Sequence, residues 1–136
     1  EQGLYVPADL AHAPLIHDDL LGQLPGTTTW VEWLEAAGVT GVDLSRGLRF
    51  NSPDHALEAA GEGAGVLLAQ SELAHDDLRT GRLVAPFDLV LRTDRSFVLV
   101  CPDGFEKRPK IRAFTEWLQS EVKRMEGEVQ QMKVPA

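Results

Sequence analysis

The stretch from residue 46 to residue 84 constrains the fold more than any other part of the sequence. Its apolar runs and turn signals predict a strand, a helix, a second strand, a second helix and a third strand in close succession. This alternation favours an open α/β sheet, because parallel strands need crossover helices. Such sheets present their ligand sites where strands end and helices begin. Asn51 and Ser52 stand at one of these junctions.

Helix and strand signals continue along the rest of the sequence. Thr29 and Glu32 form a capping box. Trp30 and Trp33 recur on one face of the helix that follows, where they either pack against the sheet or edge a pocket. Residues 18–28 contain Gly, Pro and Thr residues that are typical of a loop. We expect helical segments at residues 7–10, 30–37, 53–60, 72–80 and 109–126, and strands at residues 15–17, 48–51, 66–69, 83–85 and 97–101.

Some of these expectations rest on single residues. Ser52 and Ser71 each precede a helix, and serine is a preferred N-cap. Gly127 interrupts the last helical pattern, and we expect it to break that helix. The segment 97–101 is the most apolar of the predicted strands, so we expect it to be central and covered on both faces. Cys101 would then be an inert buried thiol, and not the exposed thiolate that redox sensing needs.

The composition is that of an ordinary globular protein, with 136 residues, 43% of them hydrophobic and 25% charged. The net charge of −8 repels phosphate backbones, so the chain alone is expected to be a poor nucleic-acid binder. No apolar run approaches the roughly 20 residues that a membrane span needs. A single cysteine excludes an internal disulfide and a multi-cysteine zinc site, and it favours a reducing, cytoplasmic compartment.

The candidate binding residues lie at strand ends. The Asn51 amide, the Ser52 hydroxyl and the N–H groups of the helix start could bind an anionic effector such as a carboxylate. In the alternative interpretation, Ser52 only caps its helix. His17 and Asp18 end the first predicted strand and could line the same cleft, unless they form an exposed pair in a loop.

The sequence gives little support for a metal site or a catalytic site. The triplets at 17–19 and 75–77 both read His-Asp-Asp, a composition that could bind a divalent ion. Consecutive residues on a helix point in different directions, however, and solvated charge explains both triplets better. The sequence contains no nucleophile elbow and no Cys/His signature. We therefore expect no catalytic residues, no metal and no cofactor.

A set of motifs spread over residues 4–120 carries a family resemblance. The motifs are WxxWLxxxG at 30–38, RFNS at 49–52, HALEAA at 55–60, GxGVxL at 63–68, DDLxxGxLV at 76–84, LVCP at 99–102 and PKxxxFxxWL at 109–118. Together they resemble the effector-binding domain of LysR-type transcriptional regulators, in particular the branch similar to glycine cleavage activators. The set is specific, although no single motif is.

The resemblance implies a type 2 periplasmic-binding-protein-like α/β fold, with two lobes of three-layer α/β/α build and a mixed, mostly parallel sheet. An effector would bind in the cleft between the lobes. Residues 1–7 would be a crossover segment, residues 8–97 the second lobe, and residues 98–136 the return crossover strand and C-terminal helix of an incomplete first lobe. Glu1-Gln2-Gly3 has no initiator Met, so we expect the sequence to begin inside a larger protein, unless this end is a boundary without structural meaning.

The resemblance also implies partners. DNA would be bound only through an N-terminal winged helix-turn-helix that this sequence lacks, and no membrane partner is expected. The apolar stripe of the 109–126 helix predicts self-association into a dimer or higher oligomer, either by exchange of that helix or by edge-to-edge pairing of sheets. The alternative function is that of a stand-alone solute-binding or enzymatic α/β protein, because fold does not determine function.

Overall fold

The computed structural model describes residues 3–93 and 95–131, with side chains through Glu128. The strands are β1 (Leu15–Asp18), β2 (Leu48–Phe50) and β3 (Val66–Leu67). The α-helices are α1 (Asp19–Gly22), α2 (Trp30–Ala36), α3 (Pro53–Gly61), α4 (Ser71–Thr80) and α5 (Pro109–Gln131). Two 3-10 helices cover Pro7–Ala11 and Phe105–Lys107. The predicted α/β class with a parallel sheet is confirmed.

The three strands form a parallel sheet in the order β2-β1-β3, so β1 is central. The chain runs from β1 outwards to β2 and then back past β1 to β3. Right-handed crossovers that run in opposite directions place their helices on opposite faces of a sheet. The packing fits this rule, because Leu15 joins a cluster with Trp33 of α2, whereas α3 packs across all three strands. Helices therefore cover both faces of β1.

The larger core lies on the α2 side of the sheet. Its centre is a buried cluster of Leu10, Leu15, Trp33 and Leu34. The Trp33 indole also reaches an extended segment outside the sheet, since its Nε1 donates to the Leu89 carbonyl oxygen at 3.1 Å and its ring stacks at a tilt with Phe87. On the other face Ile16, Ala56 and Leu57 are buried. Both tryptophans of α2 thus serve packing, as one of the two interpretations predicted.

Of the predicted side-chain caps, the one at α2 forms its hydrogen bonds. The Thr29 hydroxyl accepts from the Glu32 N–H at 3.3 Å, and the Thr29 N–H donates to Glu32 Oε2 at 2.7 Å. Ser52 occupies the N-cap position of α3, but its side chain makes no capping hydrogen bond within the described structure. The prediction for Ser71 is wrong, because Gln70 is the N-cap of α4 and the Ser71 hydroxyl donates to Glu72 instead.

The two C-terminal strand predictions are wrong. Residues 83–85 and 97–101 lie outside regular secondary structure. Phe97 is 77% exposed and Val100 is 82% exposed, and Cys101 is an exposed thiol. A strand needs neighbouring strands to satisfy its N–H and C=O groups, and the described residues supply none beside 97–101. Hydrophobicity indicated burial there, but no described element covers the segment.

The prediction that Gly127 breaks the last helix is also wrong, because α5 continues through it to Gln131. Glycine inside a helix costs only about 1 kcal/mol. Two contacts around Gly127 offset this cost: Arg124 pairs with Glu128 along the helix, and Glu128 Oε2 lies 2.9 Å from His75 Nε2 on α4. One side of the helix is thereby held against α4.

Two glycines allow β2 and β3 to approach β1. Gly47 enters β2 with a φ of +115°, and a Cβ built on it would overlap the Leu15 carbonyl oxygen. Gly65 precedes β3, and its Cβ would overlap the Pro14 carbonyl oxygen, which accepts from the Val66 N–H at 2.8 Å. The close spacing of the sheet at these two positions therefore excludes any side chain.

We expect Gly47→Ala to lower the free energy of unfolding by about 2–5 kcal/mol, because positive φ and overlap with β1 act together. Gly63→Ala is the matched control, because Gly63 has a φ of +79° but open space around its Cβ position. That control is expected to cost only about 1 kcal/mol. Urea denaturation measures both, and equal losses would show that the contact with β1 is irrelevant.

The capping box of α2 makes stability depend on pH. Hydrogen bonds from the Thr29 N–H and hydroxyl lower the pKa of Glu32 below its usual 4.5. The contribution is therefore present above pH 4.5 and is lost as the pH falls through the lower pKa of the folded state. We expect Glu32→Gln to flatten the fall of the thermal midpoint between pH 6 and pH 3. Glu35→Gln, on the same helix without a capping contact, should not, and equal flattening by both variants would contradict this origin.

Candidate functional site

The carboxyl edge of the sheet brings together most of the predicted site residues. Asp18 ends β1 opposite Phe50, the last residue of β2. Asn51 and Ser52 come directly after Phe50 and lead into α3. Because both strands run in the same direction, the three polar residues lie at the same edge. Open α/β sheets bind their ligands outside this edge.

The two carboxylate oxygens of Asp18 have different surroundings. Oδ1 accepts hydrogen bonds from the N–H groups of Leu20 at 3.0 Å and Leu21 at 3.2 Å, and it thereby caps α1. Oδ2 is fully buried and has no hydrogen-bond partner among the described residues. The cap holds the side chain in place and leaves one oxygen without a donor.

A small, open pocket lies beside Asp18 at the carboxyl ends of β1 and β3. Asp18 is the one ionisable residue in its lining. The other walls come from α1, from the starts of α3 and α4, and from the end of β3: Leu21, Pro53, Leu57, Leu67, Leu68, Ala69, Gln70 and Leu73. The lining of the pocket is therefore mainly apolar.

The start of α3 provides groups of the opposite character. Asn51 is exposed and Ser52 is half-buried. The Ser52 hydroxyl makes no capping bond among the described residues, and the first N–H groups of a helix have no partner within it. The partial positive charge of the helix start attracts anions, although Asp54 in the first turn weakens this attraction.

His17 is not brought to this edge. It is buried within β1, and its Nε2 lies 2.8 Å from the Arg46 carbonyl oxygen, in the loop that leads into β2. His17 therefore fixes the entry of β2 and is not the exposed loop residue of the alternative interpretation. The neighbouring pair Arg49–Asp19, at 2.6 Å, is half-exposed and ties α1 to β2.

Sequence reasoning missed the apolar walls of the pocket and Gln70. Gln70 follows the second predicted strand of the region 46–84, so the rule that selected Asn51 could have selected it as well. Leu57 and Leu73 gave no such signal, because an apolar residue on a helix first suggests core packing. Their role depends on how α3 and α4 converge, which local patterns do not show.

The other polar clusters lie away from this edge. His75 is buried against α5 and contacts Glu128. The pKa of Glu128 is lowered chiefly by its hydrogen bond with Arg124 and further by His75. In the described ranges, no three His, Cys, Asp or Glu side chains converge to hold a metal ion. No described helix has both the length and the apolar character needed to cross a membrane.

Comparison with known proteins identifies relatives. The glycine cleavage system transcriptional activator of Escherichia coli (strain K12) is 34% identical over 118 residues, which is 87% of this chain and 37% of that protein. The HTH-type transcriptional regulator DsdC of the same organism is 32% identical over 85% of this chain and 37% of its own length. TrpI, an HTH-type transcriptional regulator of Pseudomonas aeruginosa, is 32% identical over 83% of this chain and 39% of its own.

The chain therefore spans well under half the length of these relatives. No solved structure gives a significant match. The family model described as the LysR substrate binding domain matches residues 2–123, which include β1–β3, the pocket and most of α5. The match covers nearly the whole sequence and agrees with the parallel α/β architecture, and the chain accordingly belongs to the LysR substrate-binding domain family.

Proposed function

We propose that this chain is the effector-sensing part of a LysR-type transcriptional regulator. The effector is a small molecule of the amino acid or small carboxylate class, bound at the carboxyl edge of the sheet. The observation that carries the proposal is the family match over residues 2–123. The relatives are named as regulators of transcription and not as enzymes, which favours sensing over catalysis.

The proposed effector contacts are Asn51, Ser52 and Asp18. Asn51 and Ser52 offer an amide, a hydroxyl and the N–H groups at the start of α3, a set that suits a carboxylate. Asp18 stands at the neighbouring strand end, opposite Phe50. In this proposal His17 supports the loop before β2 and does not contact the effector, because its Nε2 already lies 2.8 Å from the Arg46 carbonyl oxygen.

The proposed domain organisation places residues 1–7 in a crossover, 8–97 in one lobe and 98–136 in the return crossover and last helix of the other lobe. Exposed apolar side chains on the last of these segments support it. Val100 is 82% exposed, and Phe114 and Trp117 of α5 are about half exposed. Apolar surface of this extent is normally covered by a partner, either the remainder of the first lobe or a second copy of the chain.

The proposed mechanism is cleft closure. An effector that binds the closed arrangement better than the open one shifts the population toward closure. Closure then changes how subunits of the oligomer pack, and so how their DNA-binding domains meet the operator. The net charge of −8 fits a cytoplasmic regulator that contacts DNA through another part of the protein.

A thermal-shift screen of the natural full-length protein against amino acids and small carboxylates tests this function. A ligand that binds only the folded state adds about 2.7 kcal/mol at a hundred times its Kd, so we expect at least one compound to raise the midpoint by several degrees. Ser52→Ala should weaken that compound about two- to tenfold, the usual effect of one neutral hydrogen bond.

Ser45→Ala is the matched control, because Ser45 lies just before β2, at the opposite end of that strand from Ser52, and its hydroxyl bonds Asp43. This variant should retain the ligand-induced shift. A flat screen would overturn the proposed function. Equal weakening by the two serine variants would remove Ser52 from the proposed contacts.

A further inference from the structure

The helix α5 packs on the rest of the chain through a stripe that is only half-buried. The half-buried positions recur at helical spacing and therefore lie on one side of the helix: Ile111, Thr115, Leu118, Glu121, Met125 and Glu128. The last four of these side chains line a groove that α5 forms with α4. The described residues of the buried cluster around Trp33, and the apolar side chains packed on it, include none from α5. The core of the sheet therefore does not depend on α5.

Among the described residues, one hydrogen bond joins α5 to a distant part of the chain. His75 Nε2 on α4 lies 2.9 Å from Glu128 Oε2. His75 is buried, whereas the Glu128 side chain is 31% exposed. A hydrogen bond from Arg124 lowers the pKa of Glu128 below its usual 4.5, and His75 lowers it further. Glu128 is therefore a carboxylate at neutral pH, and His75 Nε2 must carry the hydrogen and donate it.

The other charged side chains of the groove pair within their own helix. Arg79 pairs with Asp76 on α4, and Arg124 pairs with Glu121 on α5. These pairs would survive a separation of the two helices, because neither of them crosses the groove. In the part of the chain that the structure describes, separation would break a single polar contact, the one between His75 and Glu128.

The segment that connects α4 to α5 is attached to the core near its beginning. Trp33 contacts Phe87 and receives the Leu89 carbonyl oxygen at its Nε1. Residues 83–93 and 95–104 contain no helix or strand, and the described hydrogen bonds include none from the backbone of 95–101. A movement of α5 can therefore be taken up after Leu89 without disturbing Trp33.

We propose that α5 is a releasable helix and that the hydrogen bond between His75 and Glu128 is the latch that holds it on α4. Release exposes the half-buried Leu118 and Met125, in addition to Phe114 and Trp117, which are already about half exposed. The latch thus controls how much apolar surface the helix presents. This inference goes beyond the proposed function, because it concerns contacts within the chain and needs no effector.

Hydrogen exchange of the natural full-length protein, with no ligand added, measures opening segment by segment. We expect the amides of residues 118–128 to exchange faster than those of β1. His75→Ala and Glu128→Ala should each accelerate exchange of 118–128 about five- to tenfold, the usual effect of one partly buried hydrogen bond to a charged group, and leave β1 unchanged. The double variant should exceed either single variant by less than about twofold, because both substitutions remove the same bond.

Arg124→Ala is the matched control. It removes the ion pairs of Arg124 with Glu121 and Glu128 within α5 but leaves Glu128 beside His75. Pairs of this kind stabilise a helix only slightly, so exchange of 118–128 should rise by about twofold or less.

Three outcomes would overturn the latch. Unchanged exchange of 118–128 in Glu128→Ala shows that the contact does not hold α5. An equal acceleration in Arg124→Ala assigns the effect to ion pairs within the helix. Equal acceleration of 118–128 and β1 in Glu128→Ala shows a loss of global stability; this surface variant decides the question if His75→Ala, which alters a buried residue, fails to fold. None of these outcomes bears on the proposed function, which the ligand screen tests separately.

Discussion

The close approach of β2 and β3 to the backbone of β1 is the constraint on which the rest of the structure depends. Gly47 and Gly65 permit it, because either position with a Cβ would overlap a carbonyl oxygen of the chain at the start of β1. The resulting register places Asp18 opposite Phe50, and Asn51 and Ser52 follow at once. The geometry of the carboxyl edge is thus set by two residues at the amino ends of the outer strands.

The helices hold this small sheet from both sides by different means. On one face α2 uses its indoles as hydrogen-bond donors as well as apolar surface: Trp30 Nε1 donates to the Ile16 carbonyl oxygen at 3.1 Å, and Trp33 Nε1 to that of Leu89. Buried tryptophans need such partners. On the other face α3 contributes small and apolar residues, Ala56 and Leu57. The pocket opens on the α3 side, where Leu57 forms part of its wall.

The sequence predicted the features that depend on neighbouring residues along the chain. The Thr29–Glu32 capping box and the succession of β2, α3, β3 and α4 are confirmed, whereas the strand predicted at 83–85 does not form. The strand-to-helix junction located Asn51 and Ser52 at the carboxyl edge. The predictions that failed needed knowledge of distant surfaces. Burial of 97–101 needs a covering surface, and the described residues provide none beside that segment. The continuity of α5 through Gly127 is supported by the contact of Glu128 with α4. The sequence also could not show that one Asp18 oxygen caps α1 while the other has no partner among the described residues. This difference depends on how the surrounding elements enclose the side chain.

Asp18 is a residue at which the needs of the local cap and of the whole fold do not agree. Two exposed carboxylates are satisfied by near neighbours: Asp9 accepts from the N–H groups of Tyr5 and Val6, and Asp43 from Ser45. At Asp18 the folded structure satisfies one oxygen and encloses the other without a donor. Folding alone would be served equally well by an uncharged capping residue. A local rule broken without compensation in the fold is characteristic of functional sites, which is consistent with the place of Asp18 among the proposed effector contacts.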